Sequence, residues 1–266
     1  MTIKHPDLFE SWEFDNQKMR KSLPSDILAV TPKNASDEEF KTALLSLAMI
    51  FNDLRGLIFL DETIKTLYKN SGGPTVSEHT GEREGIIEQI YKILLATVHE
   101  SIVFVRDSHK TLESELFQKL LKRTSQDTQD EWKVLIKIAK EEPLSNPDLK
   151  KYEALIKLLK LARNNVGFHY QTNKKLNEGF RRFFYKKISD VELGASMWAY
   201  HSIKKSDPLA SRYYYVDAAL QGYYHDLFGD EKSVRVRTDE IFDVIALITR
   251  AIQAVLVEFH STLPNR

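Results

Sequence analysis

Apolar residues recur along most of this chain at intervals of three and four, the period of amphipathic α-helices. The run "SDEEFKTALLSLAMIFNDLRGLIFLDETIKTLYKN" (36–70) predicts one long helix. Ser36, three residues before Glu39, opens it with capping-box spacing, and "SGGP" (71–74) stops it. A second long helix is predicted over 77–108, where Ile86, Ile90, Ile93, Leu94, Val98 and Ile102 form one stripe. Shorter amphipathic segments follow in "TLESELFQKLLKR" (111–123) and "DTQDEWKVLIKIAKEE" (127–142). Pro143 and "SNP" (145–147) separate them from a helix over 150–170. "NEGFRRFFYKK" (177–187) predicts a basic, aromatic helix, and "YYYVDAALQGYYHDLF" (213–228) another that ends near Gly229. "TDEIFDVIALITRAIQAVLVEFHSTL" (238–263) reads as a buried helix bounded by Pro264. The pattern is weakest over 189–236, where "VELGASMWAYHSI" (191–203) has no helical period and reads as loop or a short hairpin. The expected fold class is therefore all-α, a multi-helix bundle with long antiparallel helices and an irregular or hairpin segment around 190–205. Residues 36–266 are expected to form a single helical domain, with 1–35 an extension packed on its core. No repeat of about 20–50 residues is present, which argues against a solenoid.

Composition narrows the chemistry. The chain of 266 residues is long enough to bury a substantial core without covalent help. Lys+Arg and Asp+Glu both total 38, so there is no global basic field for coating nucleic acid, although a local basic groove is compatible with the balance. The absence of cysteine removes disulfides, thiolate metal sites and cysteine nucleophiles together. The polar and aromatic N-terminus, "MTIKHPDLFESWEFDNQKMRK", has no apolar signal-peptide core. The most apolar stretch, "ILLATVHESIVFV" (93–105), is interrupted by His99 and Glu100, and no stretch is expected to reach the ~18 apolar residues that span a bilayer. A soluble protein of the cytoplasm, without a membrane partner, is the expectation.

Several reactions lack their parts. Neither G-x-x-x-x-G-K-[ST] nor G-x-G-x-x-G occurs, so no phosphate-cradling loop is predicted. "GASMW" (194–198) lacks the second glycine of a serine nucleophile elbow. His99 and Glu100 begin like a zincin, but Val103 stands where the second histidine belongs. No Glu-x-x-His pair exists for a helical di-metal centre. Glu84 and Glu88 share a helix face and read as solvated carboxylates. Neither a metal nor another cofactor is expected.

One decapeptide does not fit its surroundings. In "LARNNVGFHY" (161–170) an apolar helix ends on an arginine, two asparagines and a histidine. At about 100° per residue from Tyr152, Leu155, Ile156, Leu159, Ala162, Val166 and Tyr170 project into one stripe, and Arg163 falls near its middle at about 20°. A guanidinium left unanswered among helices would cost several kcal/mol. Three answers are open: a buried carboxylate, exposure in a cleft, or an anionic ligand. On the first, Arg163 bridges to a neighbouring helix and His169 merely caps carbonyls at the helix end.

At these residues the chain resembles the HEPN superfamily, all-α proteins marked by Arg, a polar residue, a few variable positions and His. Here the motif reads Arg163-Asn164-Asn165-Val166-Gly167-Phe168-His169, and "GFHY" resembles the aromatic ending of many bacterial members. The likeness covers roughly residues 80–190. It implies a metal-independent endoribonuclease, a toxin or phage-defence effector, assembled as a homodimer with two motifs facing each other across a cleft. RNA, a second copy of the chain and an antitoxin or other protein are the implied partners. It equally admits a catalytically silent bundle that binds RNA or a protein. In the catalytic case the RNA 2′-OH is the nucleophile. His169 transfers protons near neutrality, Arg163 stabilises charge on the phosphoryl oxygens, and Asn164 orients the histidine or backbone. On a straight helix Asn164 points about 140° away from His169, so Asn165 is the nearer partner by geometry. Asn165 and Tyr170 are the supporting candidates.

Just beyond the motif, Lys174, Lys175, Arg181, Arg182, Lys186 and Lys187 alternate with Phe180, Phe183, Phe184 and Tyr185. The cations are candidates for holding RNA phosphates. The aromatics read as stacking platforms or, at this helical spacing, as core. The tyrosines between Arg212 and Phe228 suit either an interface or an aromatic core layer. His225 and Asp226 are adjacent on a helix and do not face each other, so they are not read as a dyad.

Overall fold

The computed structural model describes residues 23–29, 34–68, 78–144, 151–164, 174–185, 213–229 and 231–264. Among these the chain forms ten helices and no strand. They are α1 (Pro24–Ile27), α2 (Ala35–Leu67), α3 (Glu78–Asp107), α4 (His109–Leu112), α5 (Glu115–Leu121), α6 (Gln126–Ala139), α7 (Lys151–Ala162), α8 (Lys174–Tyr185), α9 (Tyr214–Phe228) and α10 (Glu231–Thr262). The all-α bundle expected from the periodicity is what the chain builds. The segment around 190–205 and residues 1–22 lie outside the described residues. Of the N-terminal extension, α1 is seen, with Ile27 packed against the core.

Helix ends follow local chemistry. The side chain of Asn34, not Ser36, caps α2: its Oδ1 accepts from the Ser36 amide at 3.0 Å. Asn at an extended N-cap satisfies one of the first free amides as well as Ser would, so the helix starts earlier than the capping-box spacing places it. Ser114 and Ser125 cap α5 and α6 in the same manner, accepting from Phe117 and Thr128. The predicted stop of α9 at Gly229 occurs there, with φ at 106°, a conformation that glycine adopts without Cβ strain. α10 starts at Glu231, ahead of the predicted Thr238.

The three long helices, α2, α3 and α10, enclose the core together with α6 and α7. Trp132 on α6 is fully buried, edge-on to Phe117 at 5.2 Å, and its Nε1–H donates to the Ala251 carbonyl of α10 at 3.0 Å. An indole in an apolar core needs such an acceptor. On α3, Ile90, Leu94, Val98 and Ile102 are buried, but Ile93 is 38% exposed. It lies about 100° around the helix from Leu94 and escapes the contact. The α7 stripe is seated as the projection requires: Tyr152, Leu155, Ile156, Leu159 and Ala162 are all buried.

α2 departs from the expectation that no segment approaches membrane-spanning length. It is long and apolar enough to cross a bilayer by length and composition, with an 18-residue stretch of mean hydropathy 1.7. In the bundle one face of it, with Phe40, Leu44, Leu47, Ile50 and Leu54, is taken into the core. Leu45, Met49, Phe59, Leu60 and Leu67 remain exposed on the outside. Asp53 and Arg55 break its run of apolar residues without greatly lowering its average hydropathy.

α8 and α9 cross backbone to backbone. A Cβ on Gly179 would run into the Ala219 carbonyl and the Tyr223 amide, and one on Gly222 into the Gly179 carbonyl. Two glycines are required here because nothing larger than hydrogen fits between the chains. Phe183 and Phe184 pack against Ala218 beside the crossing, and Arg182 pairs with Asp226 across it.

Candidate functional site at the end of helix α7

The apolar stripe of α7 ends at Ala162, and the chain widens into a π-type turn over residues 163–164. Turns of this kind reorient side chains and recur at functional sites. Here the turn carries Arg163 to the edge of the core, with 29% of its side chain at the surface. Its Nε donates to Glu100 Oε1 on α3 at 2.8 Å, and its Nη1 donates to Asn164 Oδ1 at 3.1 Å. The carboxylate that answers the guanidinium is itself 44% exposed. Of the three answers left open by the sequence, a carboxylate partner is present, but it sits at the surface and not sealed inside the bundle. For a pair this exposed, ~1 kcal/mol or less is the expected stabilisation.

Asn164 is exposed, and its amide oxygen points at the arginine. Its relation to His169, which the resemblance implies, falls outside the described residues. Asn165, His169 and Tyr170 lie outside the described residues.

Behind the ion pair stands a histidine. His99 precedes Glu100 on α3, only 12% of its side chain is exposed, and its Nδ1 lies 3.5 Å from the same Oε1 that Arg163 holds. That nitrogen is enclosed and has no hydrogen-bond partner among the described residues. Burial lowers the imidazole's pKa below the ordinary histidine value of 6.5. Glu100 partly opposes the shift, and the positive charges of Arg163 and Lys160 reinforce it. The ring is therefore neutral at pH 7.

Among the described residues, Tyr223 links the basic helix to this corner. Tyr223 of α9 has its backbone against Gly179 of α8, and its hydroxyl donates to the Leu161 carbonyl in the last turn of α7 at 3.3 Å. This bond satisfies one of the carbonyls that a helix end leaves open. Along α8, Lys175 is exposed and pairs with Glu178 at 2.9 Å, while Arg182 is engaged with Asp226. Arg181 is exposed with no carboxylate partner among the described residues. The side chain of Lys174, and Lys186 and Lys187 altogether, lie outside the described residues. The aromatics divide: Phe180, Phe183 and Phe184 are half-buried in mutual contact, whereas Tyr185 is 76% exposed.

Two residues that matter most to the geometry, His99 and Glu100, appear in the sequence only as an interruption and a failed zincin. The usable signal is reciprocal. The apolar run of each of two helices is interrupted by charge, and the charges at 100 and 163 are opposite. Glu88 also departs from its reading as a solvated carboxylate: its Oε2 is enclosed. Its charge adds to burial in raising the pKa of Tyr224 and in pushing that of Tyr91 up to about 12. The Tyr91 hydroxyl is hydrogen-bonded to Thr238 at 3.2 Å. Among the described residues no three histidine or carboxylate side chains converge as metal ligands.

No family model matches the sequence, and no curated protein or solved structure matches the chain.

Proposed function

We propose that the protein is a HEPN-like, metal-independent endoribonuclease whose reaction centre is the Arg163 turn. The observation that carries the reading is the state of Arg163: a guanidinium at the end of a core helix, aimed by Glu100 and Asn164, with part of its surface open to solvent. A planar cation fixed in this manner needs little reorganisation to meet a phosphoryl oxygen, and that is how pre-aimed donors lower a barrier. In the proposed reaction the RNA 2′-OH attacks the adjacent phosphorus and the 5′-oxygen departs. The proton leaving the 2′-oxygen and the proton reaching the 5′-oxygen are exchanged through His169 and solvent. Arg163 offsets the charge that builds on the non-bridging oxygens. Arg181, exposed on α8, is the described cation offered to further phosphates of the strand.

A second reading, a silent bundle that binds RNA or a protein partner, is favoured by Glu100 itself, because a paired guanidinium is already neutralised. The two readings separate in one experiment. Purified protein is incubated with total RNA in EDTA, with wild type beside Arg163→Ala and His169→Ala. Cleavage by wild type alone, with the variants folded by circular dichroism, is the expected result. Equal nicking by all three preparations points to a contaminant and removes the assignment. RNA retention without nicking selects the silent bundle.

A further inference from the structure

We propose that His99 is a second catalytic residue of the Arg163 centre, a general base whose Nε2 takes the proton from the RNA 2′-hydroxyl while Glu100 steadies its Nδ1–H. The inference rests on the endoribonuclease reading and deepens it, because it divides the two proton transfers between two histidines.

The orientation of the ring carries the inference. Nδ1 is enclosed and lies 3.5 Å from Glu100 Oε1. A lone pair turned toward a carboxylate oxygen would be repelled, so the proton of the neutral ring belongs on Nδ1. Nε2, on the other side of the ring, is not enclosed and makes no hydrogen bond among the described residues. It therefore holds a free lone pair on the side of the ring that solvent reaches. One nitrogen against a carboxylate and the other presented outward is how a histidine base is set by an acidic neighbour. At 3.5 Å the inner contact is longer than a hydrogen bond, and contacts of this kind tighten as the imidazole takes up charge.

Arg163 places this base beside the reacting phosphate. Its Nε donates to the same Oε1 at 2.8 Å, so guanidinium and imidazole flank one carboxylate oxygen, and the pair stays intact throughout the step. The attacking hydroxyl belongs to the ribose joined to that phosphate, so a strand held at Arg163 delivers it to the neighbouring ring. The 2′-O–H bond breaks and its proton moves to Nε2 as the 2′-oxygen bonds to phosphorus. The bond from phosphorus to the 5′-oxygen breaks, and that oxygen takes a proton from His169. The products are a 2′,3′-cyclic phosphate and a 5′-hydroxyl, and each histidine ends in the protonation state in which the other began.

The groups around the ring set its strength as a base. Burial, the largest influence, favours the neutral form; Arg163 and Lys160 on α7 add to it, and Glu100 on α3 opposes it. A neutral ring at pH 7 is the state in which a base can act. Lys160 is exposed, and its charge acts on the ring through space. Its removal therefore alters the base without removing it.

The test is the pH–rate profile for cleavage of an end-labelled single-stranded RNA by full-length protein in EDTA, beside an NMR titration of the His99 ring. Wild type is expected to lose activity on the acid side with a midpoint below the ordinary histidine value of 6.5, matching that of the ring. His99→Gln, folded by circular dichroism, lowers cleavage about 100-fold or more and abolishes this acid limb. Lys160→Gln keeps wild-type cleavage at pH 8 and moves both the acid limb and the ring midpoint to higher pH, because a charge that opposed protonation is gone. A merely structural histidine leaves the limb where it was. Undiminished cleavage by folded His99→Gln overturns the proposal, as does an acid limb that stays in place in Lys160→Gln while the ring midpoint moves. Either result leaves the nuclease reading intact if His169→Ala still abolishes cleavage, and returns both proton transfers to His169. Absence of cleavage by wild type removes the nuclease reading and this inference together.

Discussion

The corner between α3 and α7 and the crossing of α8 on α9 both join helices through an arginine and a carboxylate, yet they are built on opposite principles. At the crossing, Gly179 and Gly222 bring the backbones together, and the Arg182–Asp226 pair sits on an interface that packing has already fixed. At the corner, the Arg163–Glu100 pair lies at the rim of the core, next to a half-buried imidazole whose enclosed Nδ1 is unanswered. The first pair adds to a contact that the backbones already make. The second leaves a carboxylate with two claimants and a cation at the surface. An ion pair is thus informative about function through what stands beside it, and not through its own distance.

The crossing should be broken most severely by a single methyl group. Gly179→Ala and Gly222→Ala are each expected to cost about 3 kcal/mol in chemical denaturation, because the added carbon meets backbone that cannot step aside. Gly56→Ala on α2, where nothing lies within 4 Å, should instead stabilise by about 0.5–1 kcal/mol through helix propensity. A neutral result at Gly179 would show that the two helices are not in backbone contact.

At the corner the large effect should fall on activity. Arg163→Met is expected to lower RNA cleavage by about 100-fold or more while stability changes by about 1 kcal/mol or less. Parallel measurement of cleavage and of unfolding by urea checks both halves. A large loss of stability with unchanged cleavage would turn the corner into a second structural joint. A smaller change is expected at the exposed Arg181: its replacement by alanine should weaken RNA binding evenly across sequences and reduce the salt slope by about 1, read by titrations at several salt concentrations.

The smallest effect is the pH dependence of stability at His99. Its folded-state pKa is lowered, so below about 6.5 the unfolded chain binds the proton more readily than the folded one. Stability associated with the neutral ring is complete above that value and declines as the pH falls toward the folded pKa. His99→Gln should flatten this part of the profile, measured as the urea midpoint between pH 7.5 and 5. A variant whose profile superimposes on that of wild type would place the acid lability elsewhere.

Much of the bundle was legible because helix burial follows a period. The stripe Tyr152, Leu155, Ile156, Leu159 and Ala162 is read from spacing alone and is buried as read. Gly229 ends α9 where a residue tolerant of positive φ is needed. Ser36 and Ile93 mark the limits of such reading. A cap depends on which of two neighbouring polar side chains reaches the amide first, and an apolar residue at a stripe's edge is buried only if another helix arrives there. Arg163 was legible as an anomaly, since a cation among leucines stands out on any projection. His99 and Glu100 were not, because their meaning comes from a helix some 60 residues away that the sequence does not place.

The order of apolar and polar residues by itself determined that this chain folds as helices, which face of α7 turns inward, and that a charge interrupts that face. Whether the charge is sealed, shared or open depended on which helix lay opposite, and the tertiary structure alone decided it. Periodicity is a local property, carried by residues one turn apart, whereas an ion pair forms only when packing over the whole core brings two distant turns within 3 Å of each other.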